Sequence, residues 1–498
     1  MNLTMLLDMA IDGFGDRVVI GSRENGITAA GLGAMAAAGA AVIRESGADS
    51  VVYLAVNGPA FPVAMFSAAL AGVPLVPVNY RLGHEQIQAL LANHPRALGI
   101  ADEAQLPILR DAGVAARTPE QWLAATAEPG AAALPAEDTE APAVVIYTSG
   151  TTSAPKGVLL RHEHLTSYVF GSVEFASADE TDAALISVPP YHIAAVANAI
   201  TSLYSGRRTI VLERFTPAQW LGVARAERIT NALVVPTMLA RIVESDEDKT
   251  LPSLRSLAYG GAPMPIAVIE KALRIWPEVG FVNAYGLTET SSTVAVLGPE
   301  EHRAALTGSD PAVRARLGSV GRVVPGIDLE IRDADGAPVG PGIPGRICVR
   351  GEQVSAEYAG IGRAVDERGF FDTRDHGYLD AEGYLFIGGR VDDTIIRGAE
   401  NIAPAEIEDV ILRHPAVLDV AVVGVPDEVW GQRIEAAVVA RPGAVPDAEE
   451  LRDYVRKVLR GSKTPERIVY WDELPRTETG KLVRRHVLER ITSGDVAV

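Results

Sequence analysis

The chain is poor in cysteine, aromatic side chains and positive charge, and it has no long apolar run. One cysteine among 498 residues, Cys348, excludes an intrachain disulfide. Set between Ile347 and Val349 in an expected strand, it reads as a buried structural thiol and not as a nucleophile. Lysine and arginine total 45 against 64 aspartates and glutamates, a net charge of −19. That balance argues against nucleic acid or an anionic membrane as partner, and an anionic substrate must then be captured by local positive sites. No uninterrupted apolar stretch reaches the roughly 18 residues of a spanning helix. The first eight residues, from Met1 to Asp8, lack the basic region of a signal peptide, so a cytoplasmic location is expected. Aromatic residues are only 6%, yet hydrophobic residues reach 48% and charged residues 22%, the proportions of an ordinary globular chain. The length is too great for one core and calls for two to four structural units.

What the sequence does contain is a hydroxyl-rich, glycine-flanked stretch, Tyr-Thr-Ser-Gly-Thr-Thr-Ser-Ala-Pro-Lys-Gly over residues 147–157. The apolar run 143–146 before it reads as a buried strand, which presents the polar residues at a strand end. Thr148, Ser149, Thr151, Thr152 and Ser153 offer hydroxyl donors, Gly150 and Gly157 admit close backbone approach, and Lys156 adds charge. These properties suit a polyphosphate and point to ATP. The order Lys-Gly differs from the Gly-Lys-Ser/Thr of the NTPase P-loop.

The periodicity predicts an α/β fold of layered, largely parallel sheets. A helix is expected over 28–43, and strands over 51–56, 75–78, 143–146, 209–212, 232–235 and 254–259. The glycine pattern at 31–36 reads as helix packing, because no strand feeds into it. Residues 118–142, rich in Ala, Pro and acids, read as a surface connection. Past Gly326, short segments at 329–331, 346–350 and 383–387 suggest a small antiparallel β subdomain. Beyond residue 393 a separate α+β unit is expected, with a helix from Pro404, strands over 417–425 and 436–440, and an apolar stripe at Leu451, Tyr454, Val455, Val458 and Leu459.

Taken with Tyr-Gly-Leu-Thr-Glu at 285–289 and Pro-Arg-Thr-Glu-Thr-Gly-Lys at 475–481, the hydroxyl-rich loop resembles the adenylate-forming superfamily of acyl-CoA synthetases, aryl-CoA ligases, luciferases and peptide-synthetase adenylation domains. The motifs run in the family's order over nearly the whole chain. The resemblance implies that Thr148, Ser149, Gly150, Thr151, Thr152 and Lys156 grip the β- and γ-phosphates of ATP, that Glu289 holds Mg²⁺ and that Thr288 meets the α-phosphate. It implies further that Tyr285 stacks on adenine beside the loop Gly260, Gly261, Ala262 and Pro263, that Asp375 accepts from the ribose hydroxyls, and that Arg390 reaches ribose or phosphate. Lys481 would bridge the α-phosphate and the attacking carboxylate, and His192 would orient that carboxylate at the mouth of the acyl pocket.

For the second step the resemblance implies a small C-terminal unit (393–498) turning on a hinge (390–392, with Asp392 the pivot) against a large N-terminal domain (1–389). Gly398 would then border the pantetheine path of coenzyme A, and Lys463, Arg484 and Arg485 are candidate contacts for its phosphates. His162 and His164 lack the spacing of a zinc site and read as ordinary structural residues. Three positions depart from the family pattern: Ser153, Arg374 and Ala399 each stand where glycine is usual. The expected activity is an ATP- and Mg²⁺-dependent acid:CoA ligase acting on a carboxylic acid, a fatty acid first and an aromatic or polycyclic acid next. Alternatives are transfer to a carrier protein and a non-catalytic sensor on the same scaffold. Small residues after His192 (194–199), with Val234, Val235 and Met238, are the expected acyl walls.

Overall fold

The computed structural model describes residues 1–127, 141–148, 155–390, 393–397, 400–427, 430–444, 446–459, 461–477 and 480–493, with the backbone alone at 400 and 401. Two large sheets draw their strands from residues 18–363. In one, Gly362–Arg363, Glu357–Tyr358, Lys156–Leu160, Val144–Thr148, Leu75–Pro77, Ser50–Leu54, Ala97–Ala101 and Ala115–Arg117 lie side by side. From Val144–Thr148 to Ala115–Arg117 the pairing is parallel. The other sheet has nine strands, with Gly280–Leu287, Ser256–Gly260, Asn231–Val234, Ala183–Ile186 and Arg208–Val211 as its parallel centre. Parallel strands buried on both faces need apolar, β-branched sequence, and Ser50–Leu54 is buried at every position.

The helix Ala29–Ser46 begins on the Thr28 hydroxyl, which accepts from the Gly31 amide, and ends at a left-handed Gly47, the cap pair that suits such a helix. Its glycines serve packing: a Cβ on Gly33 would meet Ile11 Cδ1 at 2.5 Å, and one on Gly39 the Ser67 hydroxyl at 2.1 Å and the Trp122 ring at 2.9 Å, although the short strand Ile27–Thr28 does lead into the helix. That same tryptophan corrects the reading of 118–142 as a surface connection. Pro119–Ala127 is a helix, Trp122 is fully buried, and Thr118 and Gln121 bond each other's backbone amides in a capping box. The alanine and acid content hid a Thr-Pro-Glu-Gln helix start. Residues 128–140 lie outside the described set.

The β subdomain is a four-stranded antiparallel sheet of Ile327–Arg332, Gly345–Gly351, Phe371–Leu379 and Leu385–Arg390. Cys348 lies in it, 2% exposed, with burial pushing its thiol up to about 11. The C-terminal segment forms the hairpin Val417–Asp427 with Gly431–Ala440, joined in parallel by Arg467–Tyr470 and packed with the helices Pro404–Ile411, Ala448–Val458 and Arg484–Ser493. Two apolar clusters are drawn from residues 395–491 alone, so this segment builds its own core. No helix among the described residues is long and apolar enough to cross a membrane.

Candidate active site

The cleft is assembled from strand ends of both sheets, the β subdomain and one loop of the C-terminal segment. Val144–Thr148 returns as Lys156–Leu160 in antiparallel register, with Thr148 opposite Lys156. The hydroxyl-rich stretch is therefore the connection between two sheet strands, although Ser149, Gly150, Thr151, Thr152 and Ser153 lie outside the described residues. Lys156 projects its ammonium over the Tyr358 ring, 5.7 Å from the centroid. The Tyr358 hydroxyl donates to Glu289 Oε1 at 2.9 Å. Burial first, then the charge of Glu289, raises the Tyr358 pKa, which keeps the phenol protonated as a donor.

Glu289 sits in a turn that the chain holds by force. Gly280–Leu287 reverses through Thr288–Thr290 into Ser292–Leu297, and the non-glycine residues Ser291 and Ser292 take φ of 54° and 113°. Such angles persist only where surrounding bonds fix them. Here the Thr290 hydroxyl accepts from the Leu287 amide and donates to the Ser292 carbonyl. The buried Gln353 amide donates to the Thr290 and Thr293 carbonyls, and the Ala356 amide donates to the Glu289 carbonyl. Gly286 is the pinch point: a Cβ there would lie 1.7 Å from the Ser292 carbonyl oxygen. Thr288 stands half-buried at the head of the turn.

One strand back, Tyr285 donates its hydroxyl to Asp375 Oδ2 at 2.6 Å, and Arg390 donates to Asp375 Oδ1 at 3.2 Å. Asp375 is 6% exposed. Burial raises its pKa, with Arg390 and Tyr285 opposing. Gly260 pairs with Ala284 at the carboxyl end of its strand, and Gly261, Ala262 and Pro263 follow directly. Ligands of parallel sheets bind outside these ends. His192 caps the helix Ile193–Ser205 and packs on Tyr191 at a ring distance of 4.6 Å; burial lowers its pKa to about 4. Ala194, Asn198 and Thr201, one stripe of that helix, stay half-buried, whereas Ala195, Val196 and Ile200 are covered.

Lys481 comes from the C-terminal segment yet reaches the same cleft. Burial and the Arg390 charge lower its pKa, while Asp375, Asp393 and Glu289 pull the other way. Its side chain remains open to water, which places it in a crowded but solvent-accessible cleft. The preceding Gly480 packs so tightly that a Cβ would meet Thr237 Oγ1 at 2.2 Å, and its φ is +77°. Thr237 stands in the helix Pro236–Glu244, just after Val234 and Val235.

Lys463 bonds Glu406 at 2.6 Å and Arg484 bonds Glu408 at 2.7 Å, so both proposed phosphate contacts are tied to carboxylates in this arrangement. Arg485 lies 3.5 Å from Glu489. Asp392, Gly398 and Ala399 fall outside the described residues. His162 and His164 are buried helix residues whose Nδ1 atoms accept from the amides of Leu3 and Arg161. Among the described residues no group of three His, Cys, Asp or Glu side chains is placed to hold a metal ion. Sequence reasoning missed Tyr358 and Thr237, which belong to no charged or glycine-marked motif.

Known proteins match this chain over most of its length. A family model described as AMP-binding enzyme matches residues 7–359, and one described as AMP-binding enzyme C-terminal domain matches residues 406–481. The chain belongs to the AMP-binding enzyme family. This places it in the adenylate-forming superfamily, among the AMP-forming acid–thiol ligases. The enzyme is 34% identical over 453 residues to a feruloyl-CoA synthase of an Amycolatopsis species, covering 89% of each chain. It is 32% identical to the fatty acid–[acyl-carrier-protein] ligase ScoC of Streptomyces coeruleorubidus, over 89% of this chain and 86% of that one. Its fold overlays that of o-succinylbenzoate CoA synthetase MenE from Bacillus subtilis, solved with the acyl-adenylate OSB-AMP, at a TM-score of 0.85, with 28% identity and 97% of each chain covered.

Proposed function

We propose that this AMP-binding enzyme is an ATP-dependent acid:CoA ligase. The observation that carries the reading is the meeting of Lys481, Arg390 and Asp375 with Glu289, Tyr358 and Lys156 in one cleft. A carboxylate oxygen attacks the α-phosphorus of ATP, the bond to pyrophosphate breaks, and acyl-AMP forms. Both reactants are anions, so fixed positive charge lowers the barrier. Lys481 neutralises the approach of carboxylate and α-phosphate, and Thr288 supplies a hydroxyl donor to the same phosphate. Lys156 and the hydroxyls of 148–152 hold the departing pyrophosphate. The carboxylate of Asp375, already oriented by Tyr285 and Arg390, keeps free lone pairs for the ribose hydroxyls. Tyr285 and the Gly260–Pro263 loop border the adenine.

Glu289 is the residue that would hold Mg²⁺, and the ion, when bound, would offset the charge of the phosphates. Its carboxylate fits that role, because the Tyr358 hydroxyl orients one oxygen at 2.9 Å and leaves the other for a hard cation. In the second step the thiol of coenzyme A attacks the acyl carbonyl and AMP leaves. Lys481 and the tip of its loop occupy the approach, so we assign residues 390–392 as the hinge on which 393–498 turns away from 1–389. That rotation brings Gly398 to the thiol path. His192, held neutral by burial, orients the acyl carboxylate.

The acid has an apolar acyl part. The half-buried stripe of Ala194, Asn198 and Thr201, and Met238, offer no charge to a second carboxylate. A fatty acid comes first and an aromatic acid second; the relatives named for fatty acid and for ferulate support one each. The carrier-protein ligase among them makes a carrier the alternative acceptor. A cytoplasmic setting suits ATP and coenzyme A as reactants. The test is pyrophosphate release across fatty, aromatic and polycyclic acids, with and without CoA, alongside Lys481→Ala. Turnover that requires CoA and falls at least about 10²-fold in the variant supports the ligase. Release that stops at one equivalent despite CoA points to the carrier, and no release with any acid leaves only the sensor.

A further inference from the structure

The loop that presents Lys481 is a small hairpin with a clamp of its own. Its stem closes where the Val483 amide donates to the Pro475 carbonyl and the Thr477 amide to the Lys481 carbonyl, at 2.9 and 2.7 Å. Leu474 and Leu482 root it in the C-terminal core. At the tip, the Gly480 amide donates to the Thr477 carbonyl and the Lys481 amide to the Thr477 hydroxyl. These are local bonds of a short loop, which by themselves leave it free to rock about its stem.

The Arg476 guanidinium supplies the missing tie. Its Nε and one terminal nitrogen grip both oxygens of Asp419, at 3.0 and 2.7 Å, and the other terminal nitrogen donates to the Gly480 carbonyl at 2.7 Å. Asp419 belongs to the strand Val417–Asp427, an edge strand of the C-terminal sheet that pairs along its length with Gly431–Ala440, and its Oδ1 also accepts from the Val420 amide at 2.9 Å. Both side chains are under a third exposed. All three nitrogens of a planar fork are thus engaged, a geometry that lysine's single ammonium cannot reproduce.

We propose that Arg476 and Asp419 are positioning residues for adenylation: they fix the Gly480–Lys481 tip to the C-terminal sheet, so that the catalytic ammonium is delivered as part of a rigid body. The step served is the attack of the acid on ATP. The transfer of the acyl group to CoA, in which the loop has withdrawn, does not depend on the clamp. This inference rests on the ligase reading for its kinetic readout but not for its structural one.

The experiment compares the full-length enzyme with Arg476→Gln, Asp419→Asn and Arg476→Lys. Using the acid that releases most pyrophosphate in the panel above, acid-dependent ATP–pyrophosphate exchange falls about 10- to 100-fold in the Gln and Asn variants, the range expected when a catalytic group is misplaced by about 1 Å. The Lys variant recovers only part. Thioester formation from the chemically prepared acyl-AMP of that acid stays within about twofold of wild type. Amide hydrogen exchange at Gly480 and Lys481 speeds up at least about tenfold, while the strand Gly431–Ala440 is unchanged. Wild-type pyrophosphate exchange in both variants overturns the clamp, and so does an equal loss in both half-reactions. If the wild type is inactive with every acid, the ligase reading fails and amide exchange alone decides: unchanged protection at Gly480 and Lys481 sinks the proposal.

Discussion

Replacing Gly480 with alanine tests the docking of the lysine loop more directly than replacing the lysine itself. The new methyl would sit 2.2 Å from Thr237 Oγ1, 2.4 Å from its Cγ2 and 2.8 Å from its Cβ, on a backbone at φ +77°. The left-handed angle costs about 1–2 kcal/mol for a non-glycine residue, and an overpacked contact of this kind adds about 1–3 kcal/mol. The clash lies between the C-terminal loop and the Pro236–Glu244 helix, so it acts on the docked arrangement and not on the folding of either part. A combined penalty of about 2–5 kcal/mol corresponds to a loss of about 30- to 5,000-fold in adenylation. The assay is acid-dependent ATP–pyrophosphate exchange in a double-mutant cycle with Thr237→Ala, which removes the two nearest contacts. The double variant should regain the steric part and leave the backbone part. Wild-type exchange in Gly480→Ala, or no coupling between the two sites, would refute the docked geometry as the adenylating one.

Other outcomes follow from the same cleft. Tyr358→Phe deletes a hydrogen bond to a carboxylate, worth about 1.5–3 kcal/mol, and should raise the KM for ATP about tenfold or more at limiting Mg²⁺, with a smaller effect at saturating Mg²⁺. Arg374 takes φ of 60°, so Arg374→Gly should relieve backbone strain and leave urea-unfolding stability unchanged or higher by up to about 1 kcal/mol; a clear loss would show that its side chain matters more than its backbone. Burial holds His162 and His192 at pKa values of about 4, below the unfolded value of about 6.5. Their stabilising effect is complete above pH 6.5 and is lost as pH falls towards 4, because the unfolded chain binds those protons first. Urea midpoints measured at pH 7, 6 and 5 should therefore fall with acidity, and less steeply in His162→Gln.

The sheets were legible because parallel, doubly buried strands write themselves as apolar runs, and each run named between 51 and 259 became a strand within a residue or two. The run 383–387 overlaps Leu385–Arg390 only in part, and 436–440 covers one end of the longer Gly431–Ala440. The strand Phe371–Leu379 was not legible, because Asp372, Thr373, Arg374 and Asp375 interrupt its alternation with the polar groups of the site. The helix Pro119–Ala127 was hidden by composition, although its capping box stood in plain view. Within the site, the glycine-flanked hydroxyl loop marked Lys156 and the family resemblance marked Glu289, Asp375 and Lys481, and the structure brings these four into one cleft. What no pattern showed was the support: Tyr358 under Lys156, Gln353 behind the Glu289 turn and Asp419 behind the lysine loop act through contacts 60 or more residues apart for Gln353 and 57 for Asp419. Spacing in sequence carries no trace of such pairs, since each depends on how separate strands come to lie together.

Cys348 has a practical consequence. It is the chain's one thiol, walled into the β subdomain and hard to ionise. Reagents that require thiolate at a surface will pass it by. Two cysteines placed on exposed positions, one in each half of the molecule, would accept a fluorophore pair without background from the native chain, and the distance between dyes would report in real time where the lysine loop is during a turnover.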